Sequence, residues 1–199
     1  MSENTGRIAW RQIIGRLLIG AAFLMAAYYF GTNVYTFFVQ KDLQTKWRRL
    51  TIAAARHDGK EAESTATAGD GMFGRLLIPK LGLDVIVLEG TDPATLTRGP
   101  GHIKTTAMPW EGANTAISGH RTTYGAPFAR LDRLRHGDKI ELLTTRGKFI
   151  YLVAGSVVVK PTDLSVIGQA FKNRLTLTTC DPPGSAARRL AVWAIRRLP

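Results

Sequence analysis

The order of apolar and polar positions divides the chain into three textures. From Leu17 to Val39 the sequence LLIGAAFLMAAYYFGTNVYTFFV carries no charge over 23 residues. As a helix this run extends about 34 Å at 1.5 Å per residue, enough to cross a hydrocarbon core of about 30 Å. It predicts an uncleaved transmembrane helix, because the run exceeds the length of a signal-peptide core and Ala and Gly sit in its middle. Tyr28, Tyr29, Tyr35, Phe37 and Phe38 crowd its second half, as aromatic residues do near a membrane interface. Beyond it, Leu43, Trp47, Leu50 and Ala54 recur at helical spacing, so the helix is expected to continue to about Arg56. The stretch HDGKEAESTATAGDG, His57–Gly71, has almost nothing to bury and reads as a flexible tether.

From Met72 onward, short apolar runs alternate with Gly, Pro and Asp, the texture of a mainly β domain. Strands are expected at Arg75–Pro79, Asp84–Leu88, Thr115–Ser118, Lys139–Thr144, Lys148–Val159, Arg174–Cys180 and Leu190–Arg196. Short helices or turns are expected at Pro93–Leu96 and Pro127–Leu134, and RHGDK and TRGK supply turn chemistry. Seven or eight strands in under 130 residues fit a closed barrel or a sandwich, and closure, which removes sheet edges, favours the barrel. The expected organisation is residues 1–16 as a short N-terminal segment, 17–39 as the span, 40–71 as juxtamembrane helix and linker, and 72–199 as the β domain.

The net charge of +12 is spread along the chain without a long basic block. A diffuse excess suits an anionic surface, a membrane or a cell wall. Neither a zinc-ligand pattern nor an RNA-recognition aromatic motif occurs, so nucleic acid is not an expected partner. Arg7, Arg11 and Arg16 precede the apolar run while Lys41, Lys46, Arg48, Arg49 and Arg56 follow it, and this balance does not choose an orientation.

Cys180 is the single cysteine and ends the run LTLTTC. Alternation puts Leu175, Leu177 and Thr179 on one face and Thr176, Thr178 and Cys180 on the other, polar face. Pro182 and Pro183 stop the strand, so the thiol sits at a rim opening into a loop. A thiol attacks as its thiolate, and an imidazole can take its proton and later return one. Among the four histidines, His57 lies in the tether and His136 in a hairpin turn. His102, in GPGHI, stays open as a partner, and His120, at the end of TAISGHR, occupies a rim position like that of Cys180. Negative charge developing on a carbonyl oxygen needs a guanidinium or backbone N–H to meet it. Arg188 and Arg189 begin the last strand, and alternation alone does not choose between them.

Taken in order, LLIPKLGLDVIVLEGTD, LTRGPGH, ANTAISGHRTTYGAPFARLDRLRHGD, LTLTTCDPP and RRLAV resemble the sortases over roughly Phe73 to the C-terminus. TLTTC resembles the family's TLxTC signature and SGHR carries its histidine. The resemblance implies a closed eight-stranded sortase-type β-barrel with short helices, preceded by one transmembrane helix. It also implies Cys180 as nucleophile, His120 as acid and base, and Arg189, which directly precedes Leu190–Val192, as the oxyanion partner. Thr178, Thr179, Arg121 and Tyr124 are the expected substrate contacts. The implied reaction cleaves an LPxTG- or LAxTG-like sorting signal between Thr and Gly through a thioacyl enzyme, then transfers the protein to an amine. The implied partners are surface proteins with a C-terminal sorting signal and a lipid-linked peptidoglycan precursor, met on the outer face of a Gram-positive membrane. One N-terminal span, no C-terminal span, and HRTTYGAPFARL with Tyr124 resemble the actinobacterial class E/F type. Trp110 in MPWEGAN and the compact loop DPPGSAARR depart from many relatives. No acidic cluster resembles the calcium site of some relatives, and neither a metal nor a cofactor is expected. The rivals are an L,D-transpeptidase-like cysteine enzyme, whose SxGC context is missing, and a non-catalytic wall-binding module on a membrane stalk.

Overall fold

The computed structural model describes residues 3–56 and 69–197, so most of the expected tether, residues 57–68 with His57, lies outside the described residues. One uninterrupted helix, α1 (Glu3–Arg56), carries the apolar run and its amphipathic continuation. Residues 10–52 are long and apolar enough to cross a membrane, and the most apolar window is not buried against the rest of the chain. Such a helix is compatible with a single-pass membrane anchor.

The rest is a barrel of eight strands, β1 (Met72–Ile78), β2 (Leu83–Glu89), β3 (Gly101–His102), β4 (Asn114–Ser118), β5 (Lys139–Thr144), β6 (Gly147–Val159), β7 (Arg174–Asp181) and β8 (Arg188–Arg196). Around the barrel they run β1-β2-β3-β4-β7-β8-β6-β5, and β5 closes on β1. Closure gives every strand a neighbour on both sides, which a sandwich of the same strands would not. The core is the barrel interior: Leu76, Ile78, Ile117, Ile140, Tyr151, Leu175, Leu177 and Val192 are all shielded from solvent. A short helix, α2 (Pro93–Arg98), is capped by Asp92, whose carboxylate accepts from the Thr95 N–H.

Two strand expectations change. β3, only two residues long, lies in the GPGH segment that the sequence reads as loop, and it links β2 to β4 through one parallel and one antiparallel pairing. The outer face of β7 is also not open to water, since the strand is buried from Arg174 through Thr179. The segment between β6 and β7 covers it: Asn114 Nδ2 donates to the Val166 and Gly168 carbonyls, and the Thr176 hydroxyl donates to Asn114 Oδ1 at 2.9 Å. Alternation separates the faces of a strand correctly but cannot say which face a later loop will cover.

The C-terminal half of α1 is docked on the barrel. Leu43 and Trp47 pack with Met72, Ile86 and Leu88 in a second apolar cluster. Above β3 the outer edge of β2 has no strand partner at Ile86, and Gln40 takes that place. Its Oε1 accepts from the Ile86 N–H at 2.8 Å, and its Nε2 donates to the carbonyls of Ile86 and Arg98 at 3.1 and 2.9 Å. A side chain at Gly99 would collide with the Gln40 amide, so only glycine admits this approach. Thr36 and Gln44 add donations to the Thr97 and Asp84 carbonyls.

Candidate active site

Three neighbouring strands end at the same rim. β4 and β7 run parallel, with Ser118 opposite Thr178. The pairing continues one residue beyond β4, where the Gly119 N–H donates to the Thr178 carbonyl at 3.1 Å and the Thr179 hydroxyl donates to the Gly119 carbonyl at 2.7 Å. β4 ends at Ser118, and His120 follows two residues later, as Cys180 follows Thr178 in β7, so the two strands lead towards the same rim. β7 and β8 are antiparallel, and their register sets Cys180 opposite Arg189 and Asp181 opposite Arg188.

Side-chain geometry separates the two arginines. Arg189 Nη1 donates to Cys180 Sγ at 2.6 Å. Arg188 is exposed and forms a 3.0 Å ion pair with Asp181 Oδ2. Leu190, Val192 and Ala194 point into the core, so Arg189 shares the outer face of the wall with Cys180 and Thr178. Cys180 is partly exposed and free.

His120 is half-buried, and this loss of hydration pushes its imidazole below the ordinary histidine range, towards the neutral form. Its backbone carbonyl accepts from the Phe128 N–H at 3.1 Å, which closes the loop 121–127 at its base. Phe128 is fully buried beneath Gly119, where a Cβ would meet the ring at 2.7 Å. The Tyr124 ring lies 5.1 Å from the imidazole, centroid to centroid.

The four expected substrate contacts fall into two pairs. The Thr179 hydroxyl is occupied by Gly119, and Arg121 is buried with Nη1 donating to the Cys180 carbonyl at 3.1 Å and to Asp181 Oδ1 at 2.7 Å. Asp181 is thus held from both sides by Arg121 and Arg188, and the backbone of the nucleophile candidate is fixed from behind. Thr178 and Arg189, by contrast, line a cleft of about 270 Å³ together with Ser118, Ile103, Leu164 and Val166. Tyr124 and Gly125 line a different cavity of about 310 Å³ between α1 and the barrel, which holds neither Cys180 nor Arg189. The smaller cleft is the better candidate for substrate because it is lined by Arg189, the residue that contacts the Cys180 sulfur.

The remaining histidines are elsewhere. His102 is buried in the barrel wall, its Nδ1 3.0 Å from Glu89, its Nε2 3.1 Å from the Thr106 hydroxyl and its ring stacked on Phe73 at 4.2 Å. His136 is exposed in the turn before β5. Among the described residues no group of three or more His, Cys, Asp or Glu side chains is arranged to hold a metal ion. Sequence reasoning missed the clamp of Arg121 on the Cys180 carbonyl, although its place beside His120 and the acidic residue after Cys180 offered a signal.

A Sortase domain family model matches residues 76–197. Sortase D of Bacillus subtilis is 37% identical over 127 residues, covering 62% of this chain and 63% of that protein. Sortase SrtE1 of Streptomyces coelicolor is 33% identical over 152 residues, covering 68% of this chain and 43% of that protein. The chain therefore spans less than two thirds of either relative. Among solved structures, sortase E1 from Streptomyces coelicolor with a tripeptide in the active site aligns with a TM-score of 0.60 and 34% identity, over 67% of this chain and 92% of that one. Sortase E from Streptomyces avermitilis aligns with a TM-score of 0.57 and 38% identity, over 64% of this chain and 88% of that one.

Proposed function

This chain belongs to the sortase family, with relatives of the actinobacterial E type, and on that premise we propose that it is a membrane-anchored cysteine transpeptidase acting on sorting signals. The observation that carries the reading is the Arg189 guanidinium on the Cys180 sulfur, and the parallel run of β4 beside β7, which leads into His120, supports the part given to the histidine. Cys180 Sγ attacks the Thr carbonyl carbon of a Leu-x-x-Thr-Gly segment lying in the cleft along Thr178. Arg189, positioned at the sulfur, meets the oxygen on which charge develops. His120 takes the thiol proton and gives it to the Gly nitrogen as the C–N bond breaks, leaving a thioester. An amine then attacks the thioester, its proton passes to His120, and the thiol leaves with a proton restored. The amine belongs to a lipid-linked cell-wall precursor.

The neutral imidazole that burial favours suits the first proton transfer. In this reading Thr178 faces substrate, Tyr124 lies beside His120 outside the substrate cleft, and Arg121 and Thr179 hold the two backbones that carry Cys180 and His120. Residues 1–16 lie on the cytoplasmic side, 17–39 form the anchor, 40–71 join it to the barrel, and 72–199 work outside the cell. The family match leaves an L,D-transpeptidase without support, while a non-catalytic wall-binding module makes an opposite experimental prediction. Incubating the full chain in nanodiscs with a quenched Leu-x-x-Thr-Gly peptide and hydroxylamine should give Thr hydroxamate, and Cys180→Ala should give none. Wild-type protein that binds wall material but never cleaves the peptide would be the module.

A further inference from the structure

The loop after His120 is bent in a way its own residues do not explain. Tyr124, Gly125 and Ala126 have φ values of 51°, 74° and 42°, three successive left-handed residues of which only one is glycine. Such a run persists where surrounding structure over-determines it. The base of the loop is held by the barrel, through Phe128 and the His120 carbonyl. The tip has no core behind it, since the 310 Å³ cavity lies there.

What holds the tip comes from the anchor helix, more than ninety positions earlier in the chain. Asn33 Oδ1 accepts from the Gly125 N–H at 3.1 Å, and the same amide is oriented by donation from Nδ2 to the Tyr29 carbonyl. The Tyr28 and Tyr124 hydroxyls meet at 3.2 Å. Gly125 lies against Thr36, where a Cβ would come within 3.2 Å of the Thr36 methyl. The middle residue of the strained run thus has its amide satisfied, its close approach permitted and its neighbour's ring tethered by one helix face. That ring is the one beside the His120 imidazole.

We propose that Asn33 and Tyr28 of α1 are positioning residues for His120, so that the membrane helix sets the acid and base as well as tethering the enzyme. The docking order gives the same helix an orienting role. Tyr28 and Asn33 meet the catalytic rim, while Trp47 meets the start of β1, about 28 Å further along the helix axis. Tyr28 and Asn33 lie inside the apolar run, so in this docked arrangement the barrel-facing half of the run stands clear of the hydrocarbon, and the end of the barrel carrying Cys180 faces the membrane. This inference rests on the proposed acyl-transfer function for its kinetic consequence, but its structural consequence is independent of it.

The test uses the full chain in nanodiscs and compares wild type with Asn33→Ala, Tyr28→Phe and Asn33→Asp, which keeps an acceptor for Gly125. The deciding readout is the His120 imidazole titration by NMR, assigned from the signal lost in His120→Asn. Release of the tip hydrates the ring, so in Asn33→Ala its midpoint should move up towards the ordinary 6.5, with thermal stability unchanged and Asn33→Asp close to wild type. With that shift, kcat for peptide cleavage should fall about tenfold and KM stay within about twofold, with Tyr28→Phe intermediate. An unmoved titration in Asn33→Ala, or one that moves only with a lowered melting temperature, overturns the proposal whatever the activity. A wild-type chain that never forms an acyl-enzyme overturns the catalytic reading instead, and the titration still decides the positioning role.

Discussion

The rim formed by β4, β7 and β8 and the contact between α1 and the barrel solve the same problem, holding a functional group still, by different physical means. At the rim, backbone ladders do the work: Ser118 opposite Thr178 and Cys180 opposite Arg189 follow from strand register, and a one-residue slip would turn every side chain to the wrong face. At the helix contact, individual side chains do it. Gln40 substitutes for a missing strand, Asn33 for a missing turn partner, and Leu43 and Trp47 supply the apolar burial. Register tolerates many substitutions and forbids a shift, whereas side-chain docking depends on a few residues and can be undone one at a time.

The largest single-residue effect that sharpens this contrast is expected at the second arginine position. Removing a preorganised donor to a developing oxyanion costs on the order of 10²–10³ in kcat, so Arg189→Ala should lose that much. Arg188→Ala, which breaks only an exposed ion pair with Asp181, should lose about fivefold at most. Steady-state cleavage of the sorting peptide measures both, and the reverse order would mean that the β7–β8 register does not select the catalytic arginine.

Next in size is the helix contact itself. Trp47→Ala removes a buried aromatic side chain, a change worth about 3–5 kcal/mol. Docking should weaken while the barrel, whose interior Trp47 does not enter, stays folded. Hydrogen exchange at the Ile86 amide, which donates to Gln40, should accelerate by about two orders of magnitude, with the β7 amides unchanged. Equal acceleration in β7 would show that helix and barrel form one cooperative unit.

How much of this was legible in the sequence follows the same divide. Period-two alternation and the proline stop located Cys180 at a strand end, and the spacing of apolar runs anticipated seven of the eight strands and their closure. Alternation left Arg188 and Arg189 open, and only the family resemblance named Arg189, because register depends on the turn between β7 and β8, which alternation does not contain. The docking of α1 was not legible at all. Asn33, Thr36 and Gln40 read as polar positions in and just after an apolar run, and their partners at Gly125, Thr97 and Ile86 lie 92, 61 and 46 positions away, respectively. β3 escaped because two residues among glycines carry no periodicity, and the cover over β7 because it comes from a segment without regular strand structure.

The smallest effect expected is on stability against pH. Burial lowers the folded-state pKa of His120 below its unfolded value near 6.5. In the window just under 6.5 the unfolded chain therefore binds a proton that the folded chain lacks, and stability rises as pH rises through that window. Denaturant midpoints at pH 5 and pH 7 should differ less for His120→Asn than for wild type. An unchanged difference would assign the pH dependence to other groups.

The central claim is that sulfur, imidazole and guanidinium on one barrel rim carry acyl transfer, and the mass of a trapped intermediate tests it most directly. Full-length protein quenched in acid after brief exposure to a Leu-x-x-Thr-Gly peptide should gain the mass of the peptide up to Thr, on a fragment containing Cys180. The adduct should form far more slowly in Arg189→Ala and be lost in Cys180→Ala. An unmodified wild-type chain in the presence of released Gly product, or an adduct that survives Cys180→Ala, would contradict the account.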